Sequence, residues 1–399
     1  MKDLFPLFLV FVIASHWLCF RLVGAIDFNV ANYGAKGDGL TDDSIAFLKA
    51  WQAVCVTTRG TPTLIIPQHK TFMLQPLSFQ GPCKSTTINV MIMGTIIAPK
   101  NPKNWKWVNN DDDESWVKFD GIDGLVINGG GKIDGQGAPW WRQSNRPTAL
   151  RFLKCDNLKL IGPLTHINGP KNHISITSCN GALLSRLHII SPENSPNTDG
   201  IDISTSTNIH VEKSTISTGD DCIAINSGSK LINIVGIKCG FGHGISVGSL
   251  GKDGKYATVE EVHVRNVTFK GTTNGARIKT WAGGSGYARN ITYEDIILIG
   301  VKNPIIIDQH YDAYNILNNA RKVDRGSKAV KVSDVIFRNI HGTTISKDAI
   351  KLDCDVIGCT NILLEDINIT SLDGEIPHAS CNNAQGSCIS CNINVPCLK

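Results

Sequence analysis

Three short polar clusters recur at a fixed interval in this chain: Asn197-Thr198-Asp199-Gly200, Gly219-Asp220-Asp221-Cys222 and Gly242-His243-Gly244. From Asp199 to Asp221 is 221 − 199 = 22 residues, and from Asp221 to His243 is 243 − 221 = 22 again. Each cluster leads into the same apolar alternation, Ile201-Asp202-Ile203, Ile223-Ala224-Ile225 and Ile245-Ser246-Val247, the period-two pattern of a strand with one buried face. If each return lays a strand roughly 4.8 Å from the last, Asp199, Asp221 and His243 stack in one column on the outside of the molecule. Two carboxylates and an imidazole so arranged are acid–base machinery. Taken singly, each cluster reads as an ordinary Asn/Asp/Gly turn; the common register of all three favours a site.

The repeat extends beyond these clusters. Ile174-Ser175-Ile176, Leu187-His188-Ile189, Ile209-His210-Val211, Ile232-Asn233-Ile234, Val262-His263-Val264, Ile305-Ile306-Ile307 and Val335-Ile336-Phe337 are further short alternations, separated by Gly, Asn, Ser and Thr. Sandwiches and propellers need hairpin turns every eight to twelve residues or so. Recurrence of whole blocks favours three short parallel strands per coil, an all-β parallel β-helix. One helix is expected, from Asp42 to Cys55 and opened by Thr41, capping the N-terminal end of the solenoid. Longer excursions at Gly248 to Val259, Ala282 to Ala288 and Gln309 to Val330 break the period and are expected to wall a groove beside the column.

Lys2, the apolar run from Leu4 to Ala14 and the small residues Val23-Gly24-Ala25 read as a secretory signal peptide over residues 1–25. His16 and Arg21 shorten the apolar span against a membrane anchor, and no later stretch suits a bilayer. The remainder, 26–399, is expected to be a single secreted domain with a Cys-rich C-terminal tail, acting as a monomer. Removing Lys2, Arg21 and Asp3 lowers the formal charge from +4 to +3, and the scattered basic residues give no footprint for nucleic acid.

Of 13 cysteines, Cys19 leaves with the leader, and the even remainder suits an oxidising route. Cys222/Cys239, Cys354/Cys359 and Cys55/Cys83 are spaced as candidate bridges, and Cys381, Cys388, Cys391 and Cys397 as staples of the tail. Cys155 and Cys179 stand near one repeat apart, as stacked core thiols would. Cys388-Ile389-Ser390-Cys391 lacks the second pair that a zinc site requires. No metal and no cofactor is expected.

Asp220 and Asp221 are adjacent and would point to opposite faces of a straight strand. Gly219 permits a bend that turns both into one cleft. Arg277 and Lys279, two apart in Gly275-Ala276-Arg277-Ile278-Lys279, share a strand face. Two cations side by side are electrostatically unfavourable unless an anion lies over them, which points to a bound carboxylate.

Asn197 to Gly200, Gly219 to Cys222, the run from Gly242 to Gly251 and Arg277-Ile278-Lys279 resemble, in order and spacing, the four signature motifs of plant polygalacturonases, glycoside hydrolase family 28. The likeness begins near Phe28-Asn29-Val30 and includes Gly81-Pro82-Cys83, Ile133 to Gly137 and Ile306 to Gln309. It implies a right-handed parallel β-helix that hydrolyses α-1,4 linkages between galacturonic acids with inversion. Asp220 would be the general acid, Asp199 and Asp221 would activate water, and His243 would hold the acid protonated. Asn197, Arg277, Lys279 and Tyr311 would bind the substrate, polygalacturonic acid, with the two cations on its carboxylate.

Two departures stand out. Relatives commonly carry a cysteine after the tyrosine and another a few residues later, where this chain has Asp312 and, approximately, Leu317; Phe241 stands where proline is usual. Gly135 to Pro139 and Arg277 to Trp281 look closer to pollen-type exo-acting members. The rival expectations are rhamnogalacturonan or xylogalacturonan hydrolysis, calcium-dependent lyase chemistry and a non-catalytic pectin-binding wall protein. Asn266-Val267-Thr268, Asn290-Ile291-Thr292 and Asn368-Ile369-Thr370 are glycosylation sequons.

Overall fold

The computed structural model describes residues 24–107, 115–311 and 328–399. The chain winds as a parallel β-helix, and every strand pairs in parallel with its counterpart one coil away. The reason is visible in the ladders of identical position. Ile201, Ile223, Ile245, Ala276, Ile305 and Ile350 are successive partners in one row, and Ile203, Ile225, Val247, Ile278, Ile307 and Leu352 in the next. All are buried, and each large aliphatic side chain so removed from water contributes about 1.5–3 kcal/mol. Only this register keeps both rows inside, since a slip of one residue would expose them.

Three strand segments make up a coil, as in Ile201–Ser204, Thr207–Glu212 and Thr215–Ser217. The first segments form an 11-stranded sheet that carries the site. Contrary to three separate strands throughout, the second and third segments fuse into one long bent strand in other coils, as in Tyr256–Lys270 and Ser285–Val301. The bend is made by single residues at positive φ, among them Asn266, Asp295, Asn339 and Asp366, residue types whose short polar side chains tolerate that conformation.

The helix runs Ser44–Cys55, two residues later than expected at its start. Asp43 stands at the cap position, but its carboxylate accepts the Lys36 and Gly37 amides instead of capping. Phe47, Ala50, Trp51 and Val54 turn inward and close the N-terminal end of the core. The leader falls outside the described residues up to 23, and Ala25, placed at its end, already pairs with Thr61 in the first strand.

The first two excursions are shorter than expected, because strand pairing invades them. The first holds only a turn around Lys252–Gly254 between Ile245–Leu250 and Tyr256–Lys270. The second is crossed by Ser285–Val301. Most of the third, including Asp312 and Leu317, lies outside the described residues. The coil step still lengthens here, from 22 to 276 − 245 = 31, 305 − 276 = 29 and 350 − 305 = 45 residues.

Disulfides join Cys55 to Cys83, Cys222 to Cys239, Cys354 to Cys359, Cys381 to Cys397 and Cys388 to Cys391. Cys155 and Cys179 are buried free thiols, and the Cys155 amide donates to the Cys179 sulfur. No helix among the described residues is long and apolar enough to cross a membrane.

Candidate active site

The three polar clusters are the turns that feed three successive strands of the 11-stranded sheet. Gly200 N donates to Asp221 O at 2.9 Å, Cys222 N to Gly244 O at 2.8 Å, and His243 N to Asp220 O at 2.9 Å. Asp199, Asp221 and His243 therefore occupy equivalent places in adjacent coils, two residues before the partners Ile201, Ile223 and Ile245.

The turns approach so closely that two glycines are obligatory. A Cβ on Gly219 would stand 2.0 Å from Ser195 O, and one on Gly242, at φ 105°, 2.4 Å from Asp220 O. Gly219 thus serves by its missing side chain, not by an unusual φ.

Asp220 is partly exposed at the groove surface, with its Oδ1 in a 2.8 Å hydrogen bond with His243 Nδ1 and accepting the Asp221 amide at 2.8 Å. Asn197 Nδ2 donates to its other oxygen at 3.4 Å. Asp221 is enclosed, 1% exposed, between cations whose side chains are 10% and 9% exposed. Arg277 Nη2 and Ser246 Oγ donate to its Oδ1, and Lys279 Nζ donates to its Oδ2 at 2.8 Å. The anion over the basic pair in this state is therefore Asp221 itself, where the sequence pointed to a bound carboxylate.

Beyond Lys279 the site turns aromatic. Tyr311 lies with its ring centroid 5.3 Å from Lys279 Nζ and edge-on to Trp281 at 5.6 Å.

Burial would raise the Asp221 carboxyl, but Arg277 and Lys279 outweigh it and hold it at about 2. At Asp199 the balance is reversed: burial first, then Asp202, Asp220 and Asp221, outweigh Lys279 and push it well above the ordinary carboxylate range. Asp202 rises to about 7, chiefly by burial and then by Asp221. The raised carboxyls are thus Asp199 and Asp202, and the firmly ionised one is Asp221.

Carboxylate oxygens of Asp220 and Asp221 and a ring nitrogen of His243 lie within 4.8 Å of one another. On the Asp221 side, then, Asp220 does not stand across the gap of roughly 6.5–9.5 Å by which inverting hydrolases make room for a water. Consecutive residues of one tight turn cannot separate their carboxylates that far when both enter the same cleft. The same three groups could ligate a cation, but Arg277 and Lys279 already neutralise Asp221 and repel one.

Three residues of the site escaped the sequence reading. Asp202 extends the column of carboxylates and shares the outward row with Ala224, Ser246 and Arg277; its parity in Ile201-Asp202-Ile203 was the available signal. Trp281 had a comparable signal, two residues beyond Lys279. Arg146 had none: it precedes the strand Thr148–Leu153, yet its guanidinium donates to Pro196 O and Asn197 Oδ1.

The family model for glycosyl hydrolases family 28 matches residues 55–391. The chain is 51% identical over 376 residues to a probable polygalacturonase of Arabidopsis thaliana, spanning 93% of this chain and 80% of that one. It is 42% identical over 368 residues to a polygalacturonase of Persea americana, spanning 90% and 77%. Among solved structures it resembles an exopolygalacturonase from Thermotoga maritima, with TM-score 0.76 and 21% identity over 92% of each chain. It also resembles an endo-xylogalacturonan hydrolase from Aspergillus tubingensis, with TM-score 0.74 and 23% identity over 94% of this chain and 100% of that one. These two establish the shared β-helix. The fold and site define a glycoside hydrolase. The chain belongs to glycosyl hydrolase family 28.

Proposed function

We propose that the protein is a secreted polygalacturonase of the plant cell wall, acting as a monomer on the α-1,4-galacturonosidic linkages of demethylated pectin. The observation that carries this reading is the enclosed pair Arg277 and Lys279 beside the carboxylate column. Two buried cations next to acid–base groups suit a sugar that carries a carboxylate of its own. The named activities of relatives up to 51% identical support it.

In this reading Asp220, held by His243 and Asn197 at the groove surface, gives its proton to the leaving glycosidic oxygen. Asp221 supplies the fixed negative charge and, with Asp199, positions the attacking water and takes up the proton it loses. Arg277, Lys279 and Tyr311 hold the uronate ring, and Asn197 lies within reach of the substrate.

Inversion is the outcome implied by the family resemblance. It requires the water to sit against Asp199, since the gap between Asp220 and Asp221 is too short to hold it on that side. Exo action is favoured over endo by the likeness to pollen-type members.

The test is Asp220→Asn. It keeps the side-chain shape but cannot donate the proton, a contribution of about 10²–10⁴-fold. Activity on polygalacturonate within threefold or so of wild type, on the scale set by that range, would remove Asp220 from the acid role. Proton NMR of the first product reads the anomeric outcome. Viscosity loss compared with reducing-end release separates endo from exo.

A further inference from the structure

Asn197 sits between two demands. Its Oδ1 accepts a hydrogen bond from Arg146, and its Nδ2 donates to Asp220 Oδ2 at 3.4 Å. An amide has one acceptor end and one donor end, so whatever binds the oxygen fixes where the NH₂ points. Arg146 is suited to this because it donates only, and a second donation to Pro196 O anchors its fork. With Asp220 ionised, a reversed amide would set its oxygen against the carboxylate, acceptor against acceptor.

Asn197 also holds a backbone φ of 52°, which ties the position of its side chain to this turn. Arg146 reaches it from 51 residues away, out of a loop that belongs to none of the repeat clusters. Asp220 is in turn hydrogen-bonded to His243, so the connection runs Arg146, Asn197, Asp220, His243.

We propose that Arg146 is a positioning residue of the active site, which orients the Asn197 amide and through it the Asp220 carboxyl. This rests on the assignment of Asp220 as the general acid in the proposed function.

Beside its direct charge interaction with Asp220 and Asp199, Arg146 acts through Asn197, so most of the effect of its removal should require that amide. Arg146→Ala is expected to lower kcat about tenfold, the size of one hydrogen bond to a charged group, with a smaller change in KM, since the guanidinium touches the substrate only through Asn197. Arg146→Lys, which keeps the charge and a donor nitrogen in place of the fork, should recover most of the loss. Asn197→Gly deletes the amide while tolerating the positive φ, and adding Arg146→Ala to it should cost less than about twofold more, because the two act as one unit. Additive losses in the double variant, or unchanged kcat in Arg146→Ala, would overturn the proposal.

A readout that needs no substrate separates this inference from the polygalacturonase reading. In nitrogen–proton NMR of the full protein, the Asn197 side-chain NH₂ signals should move towards free-amide positions in Arg146→Ala and return in Arg146→Lys. Signals unmoved by Arg146→Ala would overturn the proposal even if the wild type proved to act on another polymer. Failure of the wild type on polygalacturonate would sink the substrate reading alone. A melting curve accompanies each variant; should Arg146→Ala not fold, Arg146→Met, which keeps the stem and removes every donor, is compared with wild type by the same NMR signals, and unmoved signals would overturn the proposal.

Discussion

Lys279 Nζ lies 2.8 Å from Asp221 Oδ2, and the pair is sealed from water together with Arg277. The carboxylate is thereby held ionised at about 2, and the lysine is held by an internal anion in the place where the proposed substrate brings its own.

Lys279→Ala should therefore have two separable effects. Activity on polygalacturonate should fall by about tenfold or more, as expected for a lost charge-assisted contact, whereas fully methyl-esterified pectin should be a poor substrate for wild type already. Stability should fall as well, with a defined pH window. Asp221 has a depressed native pKa, so its contribution is present above the unfolded value near 3.9 and is lost as pH falls towards about 2. The melting-temperature deficit of Lys279→Ala should be plain at pH 6 or so and shrink at the lowest pH that the protein survives. A deficit independent of pH would refute the clamp.

Asp202 carries the opposite sign. Its native pKa near 7 exceeds the unfolded value, so the folded state binds the proton more tightly and loses stability as pH rises from about 4 to 7. Asp202→Asn, which keeps the acceptor for Asn172 Nδ2, should raise the melting temperature by a few degrees above neutrality and leave it unchanged near pH 4 or so. Equal shifts at both pH values would show that burial does not hold this carboxyl up.

Gly242→Ala should damage activity out of proportion to stability. The new Cβ would meet Asp220 O and Thr218 O at 2.4 and 2.5 Å, so the turn carrying the proposed acid must move. A shift of about 1 Å in a reacting group can reduce the rate about 10²-fold. Wild-type kcat in a soluble Gly242→Ala protein would show that the turn relaxes freely.

Asn266, Asn290 and Asn368, the three sequon asparagines, are exposed on bends and strands of the second sheet. The chain secreted from a eukaryotic host is expected to carry glycan on at least one. Intact mass before and after enzymatic deglycosylation decides it, and an unchanged mass rejects all three.

The coil and its column were legible because both follow from a period. An apolar alternation repeated every 22 residues has one way to bury every Ile row, and that register places Asp199, Asp221 and His243 one above another without knowledge of any contact. Arg277 and Lys279 were legible by the same parity. The start of the helix was not, because Asp42 and Asp43 turned to neighbouring amides instead of extending it to Thr41.

What only the tertiary structure decided is what each side chain faces. Asp221 and Lys279 are 58 residues apart and Arg146 and Asn197 are 51 apart, across coils of unequal length, so no local pattern records the pairing. Burial made the further difference: Asp221 found two hydrogen-bonded cations and stays ionised, while Asp199 and Asp202, which feel cations only at a distance, were pushed up. Sequence specifies the order of groups along a repeating backbone. Charge state depends on distance and on exclusion of water, and these exist only once the coils have stacked.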